Sequence, residues 1–273
     1  MLASSPSSSP SSPVIVIVHG AFHPPVFYQP LISALQAPPH SYTVLAPALP
    51  STGSDDSVAG KTYVDDVQQI HRTLLPLLDA GREAVLVCHS QGGVAGSAAA
   101  ENQSVVERNT RGLPGGVRAV VYVAAFAFPE KGMSVIGFVG GEENVKGLYY
   151  PESLLIHSPF EWQGIHYKLV TESAGDQFYN LLPKDKRDEM GRWLVHQSKA
   201  SKNAPVQFVA GDVTVPKTYV ACTKDNIFPF QAQKALAQAS GCKIVEIESD
   251  HSPFWSEGPR TQLLQVISSV VQA

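Results

Sequence analysis

Residues 85–96 read V-L-V-C-H-S-Q-G-G-V-A-G: an apolar run, an x-S-x-G turn, then a stretch of small residues. A serine at a sharp strand-to-helix turn takes a strained backbone, and small neighbours let the strand and helix close around it. Gly92, Gly93, Ala95, Gly96 and Ala98 meet that need, so the segment reads as a nucleophile elbow with Ser90 as its reactive group. Cys88 stands where the usual G-x-S-x-G signature has its first glycine. It ends an apolar strand away from positive charge, which marks it as packing and not as a reactive thiol.

A serine nucleophile needs a base within reach and a carboxylate to orient that base. In a strand-turn-helix arrangement of this kind both follow the serine in the chain, on loops after late strands. His251, in E-S-D-H-S-P-F-W, lies just beyond the apolar run 243–247 and is the only histidine after it. His157, His166 and His196 fall in an intervening segment, the last on an expected helix. Three aspartates compete for the orienting role. Asp225, in V-A-C-T-K-D-N-I-F-P, follows the strand before the histidine strand; Asp212, in F-V-A-G-D, comes one element early and is the main rival. Asp250 adjoins His251, and adjacent side chains diverge. For the oxyanion, the amide of Gln91 is one donor, aimed by the turn, and H-G-A-F-H at 19–23 supplies the other from Ala21 or the neighbouring Phe22. Phe22 and His23 are expected at the substrate pocket.

The elements that must hold these groups are legible as short apolar runs alternating with helical patterns, the signature of a parallel sheet covered on both faces. Strands are expected at Val14–Val18, Tyr42–Leu45, the run into Ser90, Val117–Ala125, Thr218–Ala221 and Lys243–Ile247. Helices are expected at Phe27–Leu35, over 62–78 (Val64, Val67, Ile70, Leu74, Leu78), after Ser90, and from Arg260 onward. Continuous apolar strands imply burial on both sides. Residues 129–216 break the alternation, with Pro, Gly, aromatics and one long charged helix expected over Lys184–Ser198. The division is then an α/β core at 14–128 and 217–273 with an inserted cap at 129–216. Tyr149, Tyr150, Phe160, Trp162, Phe178 and Trp193 are the aromatics from which a pocket roof would be drawn, Trp162 foremost.

The 273 residues are 44% hydrophobic with net charge −4, and no Lys/Arg run occurs. That argues against nucleic acid or an anionic membrane as partner and toward a small, neutral or weakly charged substrate. Three cysteines without C-x-x-C spacing suggest neither a disulfide framework nor a zinc site and fit a reducing, cytoplasmic setting. Residues 1–13, rich in Ser and Pro, read as a disordered tail and not a secretory signal. Apolar runs are too short to span a membrane, and there is no internal repeat.

Together H-G-A-F-H-P-P-V-F-Y, V-L-V-C-H-S-Q-G-G, F-Y-N-L-L-P, T-Y-V-A-C-T-K-D-N-I-F-P and D-H-S-P-F resemble the α/β-hydrolase superfamily over most of residues 14–273. Within it they look like the branch of plant methylesterases, hydroxynitrile lyases and microbial AB-hydrolase proteins. The resemblance implies a mainly parallel eight-stranded core, a lid, no cofactor, and a triad of Ser90, Asp225 and His251, with Asp225 preferred to Asp212. Hydroxynitrile lyases of the branch carry a threonine where this chain has Gly20 and a lysine where it has Ser252, which disfavours cyanohydrin cleavage. Dehalogenases and epoxide hydrolases need an aspartate in place of Ser90. Cleavage of an ester, thioester or lactone is therefore expected, through an acyl-enzyme. Carbon–carbon cleavage of a polyketide-like molecule, or ligand binding with negligible turnover, are the alternatives, separable by product analysis and ligand-induced thermal shift.

Overall fold

The computed structural model describes residues 12–141, 166–167 and 171–273. In chain order its elements are β1 (Val14–Val18), α1 (Gln29–Gln36), β2 (Val44–Leu45), β3 (Thr52–Gly53), α2 (Tyr63–Asp79), β4 (Glu83–His89), α3 (Gly92–Ala99), α4 (Val105–Thr110) and β5 (Gly116–Val123). There follow α5 (Val135–Phe138), β6 (His166–Tyr167), α6 (Thr171–Phe178), α7 (Lys184–Gly191), β7 (His196–Ser198) and α8 (Lys199–Asn203). The chain closes with β8 (Lys217–Cys222), α9 (Phe230–Ala239), β9 (Lys243–Ile247) and α10 (Glu257–Gln272). The Ser/Pro tail, except its last two residues, and the aromatics Tyr149, Tyr150, Phe160 and Trp162 lie outside the described residues.

The main sheet runs β2-β1-β4-β5-β8-β9, every pair parallel. Parallel strands buried on both faces are apolar throughout, and each sends alternate side chains to opposite sides. Ile15 and Ile17 thus join Leu31 and Leu35 of α1 and Leu263 and Ile267 of α10. Val14, Val16 and Val18 join Ile70, Leu74 and Leu78 of α2 and Ala95 and Ala99 of α3. Among the described residues the sheet has six strands, two fewer than the eight expected, and none of them pairs antiparallel. The strand order reverses between β1 and β4, since β1 pairs with β2 on one side and β4 on the other. Ligands bind outside the carboxyl ends of strands at such a switch. Both the 19–23 turn and Ser90 leave the sheet there.

Between β5 and β8 the expected long helix stops early. α7 ends at Gly191, and His196–Ser198, expected to be helical, is a strand pairing with β3 and β6 in a small antiparallel sheet. Arg192 closes the charged helix, and the extended backbone at 196–198 finds partners in Thr52 and Gly53. No helix of the described residues is long and apolar enough to cross a membrane.

Two packing details set up the site. α3 can lie close to β4 because it is small: a Cβ added at Gly96 would overlap Cys88 Sγ, and one at Gly92 would run into the carbonyl oxygens of Val18 and His19. Cys88 therefore fills the space that Gly96 leaves. The inward stripe of α2 is Asp66, Ile70, Leu74 and Leu78, four residues apart, while Val64, expected on that face, is exposed. Asp66 occupies a core position because its carboxylate accepts from Ser51 N (2.9 Å) and Ser51 Oγ (2.7 Å).

Gly96→Ala should lower stability by about 1–3 kcal/mol through overpacking, and adding Cys88→Gly should recover most of that loss. Urea unfolding of the four proteins of this double-mutant cycle measures the coupling; strictly additive effects would refute the contact. Burial pushes the Asp66 carboxyl up to about 6. An acid whose folded pKa is raised contributes stability that is complete below its unfolded value near 4 and lost as pH climbs through about 6. Relative to Asp66→Asn, the native protein should lose on the order of 2–3 kcal/mol between pH 4 and pH 7. A pH-independent difference between the two denaturation midpoints would contradict this.

Candidate active site

Ser90 caps β4 with a backbone φ of 53°, left-handed and costly for a residue with a Cβ. Its peptide groups hold it there: Ser90 N donates to Val123 O (3.1 Å), and Ser90 O accepts from Gly93 N and Phe126 N, both at 3.0 Å. Across the turn a Cβ at Gly20 would stand 2.9 Å from Ser90 Cβ and 3.0 Å from His89 Nδ1. The 19–23 turn thus packs directly on the serine, and position 20 has no room for a threonine.

His251 follows β9 and is wholly buried. Its Nδ1 lies 2.7 Å from Asp225 Oδ2. A carboxylate only accepts, so Nδ1 carries the proton and Nε2 of the neutral ring keeps its lone pair. Among the described residues, Nε2 is buried and has no hydrogen-bond partner, Ser90 Oγ included. Asp225, on the loop after β8, accepts from Ile227 N (2.8 Å) and Phe228 N (2.9 Å) at one oxygen and from Gln233 Nε2 (3.0 Å) at the other. Those three donors fix the carboxylate before His251 meets it. The rival aspartates are engaged elsewhere. Asp212 accepts from Val209 N (3.1 Å) and pairs with Lys131 (3.6 Å), whereas Asp250 accepts from Ser252 N (3.0 Å) and Leu181 N (3.2 Å).

A second histidine ties three of these segments together. His89 Nε2 donates to the His251 carbonyl (2.8 Å), which leaves Nδ1 to accept from Tyr28 Oη (2.7 Å), and Tyr28 Oη in turn accepts from Gly20 N (2.8 Å). Burial holds His89 well below the usual imidazole range, so it stays neutral in this chain of bonds. His19 behaves alike: Nδ1 donates to Gly20 O (3.0 Å), Nε2 accepts from Leu49 N (3.0 Å), and burial lowers it to about 4. His23, expected at the pocket, is fully engaged within the protein. Its Nδ1 donates to Ala21 O and its Nε2 accepts from Tyr179 Oη, both at 2.6 Å, and burial lowers it to about 3. It braces Ala21.

Sequence reasoning missed the residue that organises the other side of the turn. Gln197, on β7, is fully buried and uses its whole amide. Oε1 accepts from Phe22 N (3.3 Å) and Thr52 Oγ1 (2.6 Å), while Nε2 donates to Ser51 Oγ (3.0 Å) and Ser201 Oγ (2.7 Å). Ser201 Oγ also accepts from Gln91 Nε2 (2.9 Å). The network therefore grips both flanks of the serine turn and continues through Ser51 to Asp66. The void it surrounds measures about 10 Å³, too small for a substrate group. Of the three amides weighed for an oxyanion, Phe22 N is taken by Gln197, whereas Ala21 N and Gln91 N meet no acceptor among the described residues. An aspartate at a helical core position was the signal available for Asp66; nothing local marks Gln197.

Among the expected aromatics, Phe178 is buried with its ring centroid 5.5 Å from that of His251, and Trp193 is exposed. Trp162 lies outside the described residues. Among the described residues no group of three or more His, Cys, Asp or Glu side chains is placed to hold a metal ion. The three cysteines are free.

Comparison with known proteins agrees with this architecture. Residues 15–262 match the model of the alpha/beta hydrolase family. The alpha/beta hydrolase nvfD of Aspergillus novofumigatus (strain IBT 16806) is 29% identical over 249 residues, covering 89% of this chain and 91% of that protein. An extracellular alpha/beta-hydrolase from a Paenibacillus species has the same fold with a TM-score of 0.73 at 18% identity, over 94% of this chain and 98% of that one. Polyneuridine aldehyde esterase superposes with a TM-score of 0.69 at 20% identity, over 94% and 100%. With the family match spanning nearly the whole chain, the protein belongs to the alpha/beta hydrolase family.

Proposed function

We propose that this hydrolase cleaves an ester, thioester or lactone of a small, largely apolar molecule through a triad of Ser90, His251 and Asp225. One observation carries the reading: a fully buried His251–Asp225 pair at 2.7 Å whose remaining nitrogen is unengaged, beside a serine held in a left-handed turn. A buried imidazole lone pair with no partner is costly to maintain. A reacting hydroxyl gives it one.

In this mechanism Ser90 Oγ rotates toward His251 Nε2, since hydrogen bonds between nucleophile and base often tighten only with substrate bound. Nε2 takes the proton as Oγ attacks the carbonyl carbon, and Asp225 stabilises the imidazolium without accepting its proton. The amides of Ala21 and Gln91 bind the tetrahedral oxyanion. Collapse expels the alcohol with the proton from Nε2 and leaves an acyl-serine, which a water activated by His251 then hydrolyses. In this reading the described part of 129–216 belongs to a cap, with Phe178 as an apolar wall next to His251. Gln197 carries the cap's influence to the oxyanion turn.

Purified protein should hydrolyse a short p-nitrophenyl ester and label with a fluorophosphonate. Ser90→Ala should abolish labelling and lower kcat by about 10⁴-fold or more. Asp225→Asn, which frees His251 to adopt the wrong tautomer, should cost about 10³- to 10⁴-fold. Labelling that persists in Ser90→Ala would overturn the assignment.

A further inference from the structure

Lys202, on α8, is only 7% exposed. Its Nζ stands 4.8 Å from the centroid of the Phe22 ring, and among the described residues it has no ion pair and no hydrogen bond. The elements packed on α8 are α5, β6 and β7. α5 has no titratable residue, and β6 and β7 bring His166, Tyr167 and His196. None is an acid. Burial alone lowers the Lys202 amine, to about 7, with no neighbouring charge contributing.

The position ties this amine to the site. Ser201, immediately before it, accepts the hydrogen bond from Gln91, the residue after Ser90. Phe22, beneath it, follows Ala21 and is fixed by Gln197. Lys202 therefore lies against the residue that follows Ala21, and its chain neighbour holds Gln91. A lysine buried without an anion is destabilising in the empty protein, and such residues concentrate at functional sites.

We propose that the Lys202 amine binds a carboxylate carried by the substrate, so that the preferred ester belongs to a molecule that also bears a free acid. The inference rests on the ester-cleaving reading above and specifies its substrate class. The ligand is a carboxylate and not a phosphate because a single ammonium beside an aromatic ring offers one charge and few donors. Phosphate sites gather several donors from Arg, Lys or successive backbone amides. Binding then takes up a proton: the amine is partly neutral near pH 7 when alone and is held charged once the carboxylate pairs with it.

The test compares the p-nitrophenyl ester of glutaric acid, its second carboxyl free, with the same ester methylated at that carboxyl. At pH 6.5 the native protein should favour the acid in kcat/KM on the order of tenfold or more. The preference should vanish in Lys202→Met and survive in Lys202→Arg. Raising the pH through 7 should weaken it in the native protein and leave Lys202→Arg unchanged. An equal preference in native and Lys202→Met proteins would overturn the proposal. Calorimetry on Ser90→Ala with the free-acid ester, in two buffers of different ionisation enthalpy at pH 8, provides an arm independent of turnover. Uptake of about one proton per ligand, absent in Ser90→Ala/Lys202→Met, supports the site. Binding without uptake, or no binding, refutes it. Proton uptake without turnover by the native protein would instead leave this site standing and remove the hydrolytic reading.

Discussion

Ser90 keeps a left-handed backbone at the carboxyl end of β4, and two other residues with side chains do the same at neighbouring strand ends: Phe22 beyond β1 (φ 65°) and Ala124 after β5 (φ 42°). Each such residue costs on the order of 1–3 kcal/mol and persists only where its surroundings over-determine it. Here the three constrain one another. Ser90 N bonds to the last residue of β5, Ser90 O receives Phe126 N from just past Ala124, and Gly20 leaves no room for a side chain against Ser90. Relaxing any of the three turns moves the other two, so the reactive geometry is a property of the central sheet edge as a unit.

The histidines around that edge obey an electrostatic constraint that follows from the same close packing. His19, His23 and His89 are all buried, all depressed by burial, and all spend their ring nitrogens on backbone or tyrosine partners. Had any been charged, it would repel an imidazolium at His251, whose ring centroid lies 4.8 Å from that of His89. Their neutrality leaves Asp225 as the counter-charge in direct contact with His251. Asp225 is held by Ile227 N, Phe228 N and Gln233, donors that come from its own loop and from α9, so its position does not depend on the state of the histidine.

The parts of this arrangement that were legible in the sequence are those whose physics is local. A strand buried on both faces must be continuously apolar, so β1 was located to the residue. Tight turns demand small side chains, which marked 88–96, and chain order confined the base to His251. Val64 was misassigned because apolar character alone put it on the inner face of α2; the polar Asp66 displaced it by finding two donors on Ser51. The end of α7 was misplaced for a comparable reason: 196–198 becomes a strand only because Thr52 and Gly53, over 140 residues earlier, offer it an edge. Gln197 was invisible on the same grounds, since its partners include Phe22 and the Ser51–Thr52 pair, over 140 residues earlier in the chain.

That long-range dependence makes the segment between β5 and β8 more than a cover. A segment attached only by its two ends could shift without altering the 19–23 turn. β7 instead pairs with β3, and Val195 N donates to Phe22 O (2.9 Å) while Gln197 Oε1 accepts from Phe22 N. Both peptide groups of the left-handed Phe22 are therefore held by the segment that would enclose the substrate. Displacing that segment would release Phe22, and with it the neighbouring Ala21 amide, whose other support is His23 on the Ala21 carbonyl. Under the proposed mechanism, substrate enclosure and oxyanion geometry would be coupled through one residue's backbone.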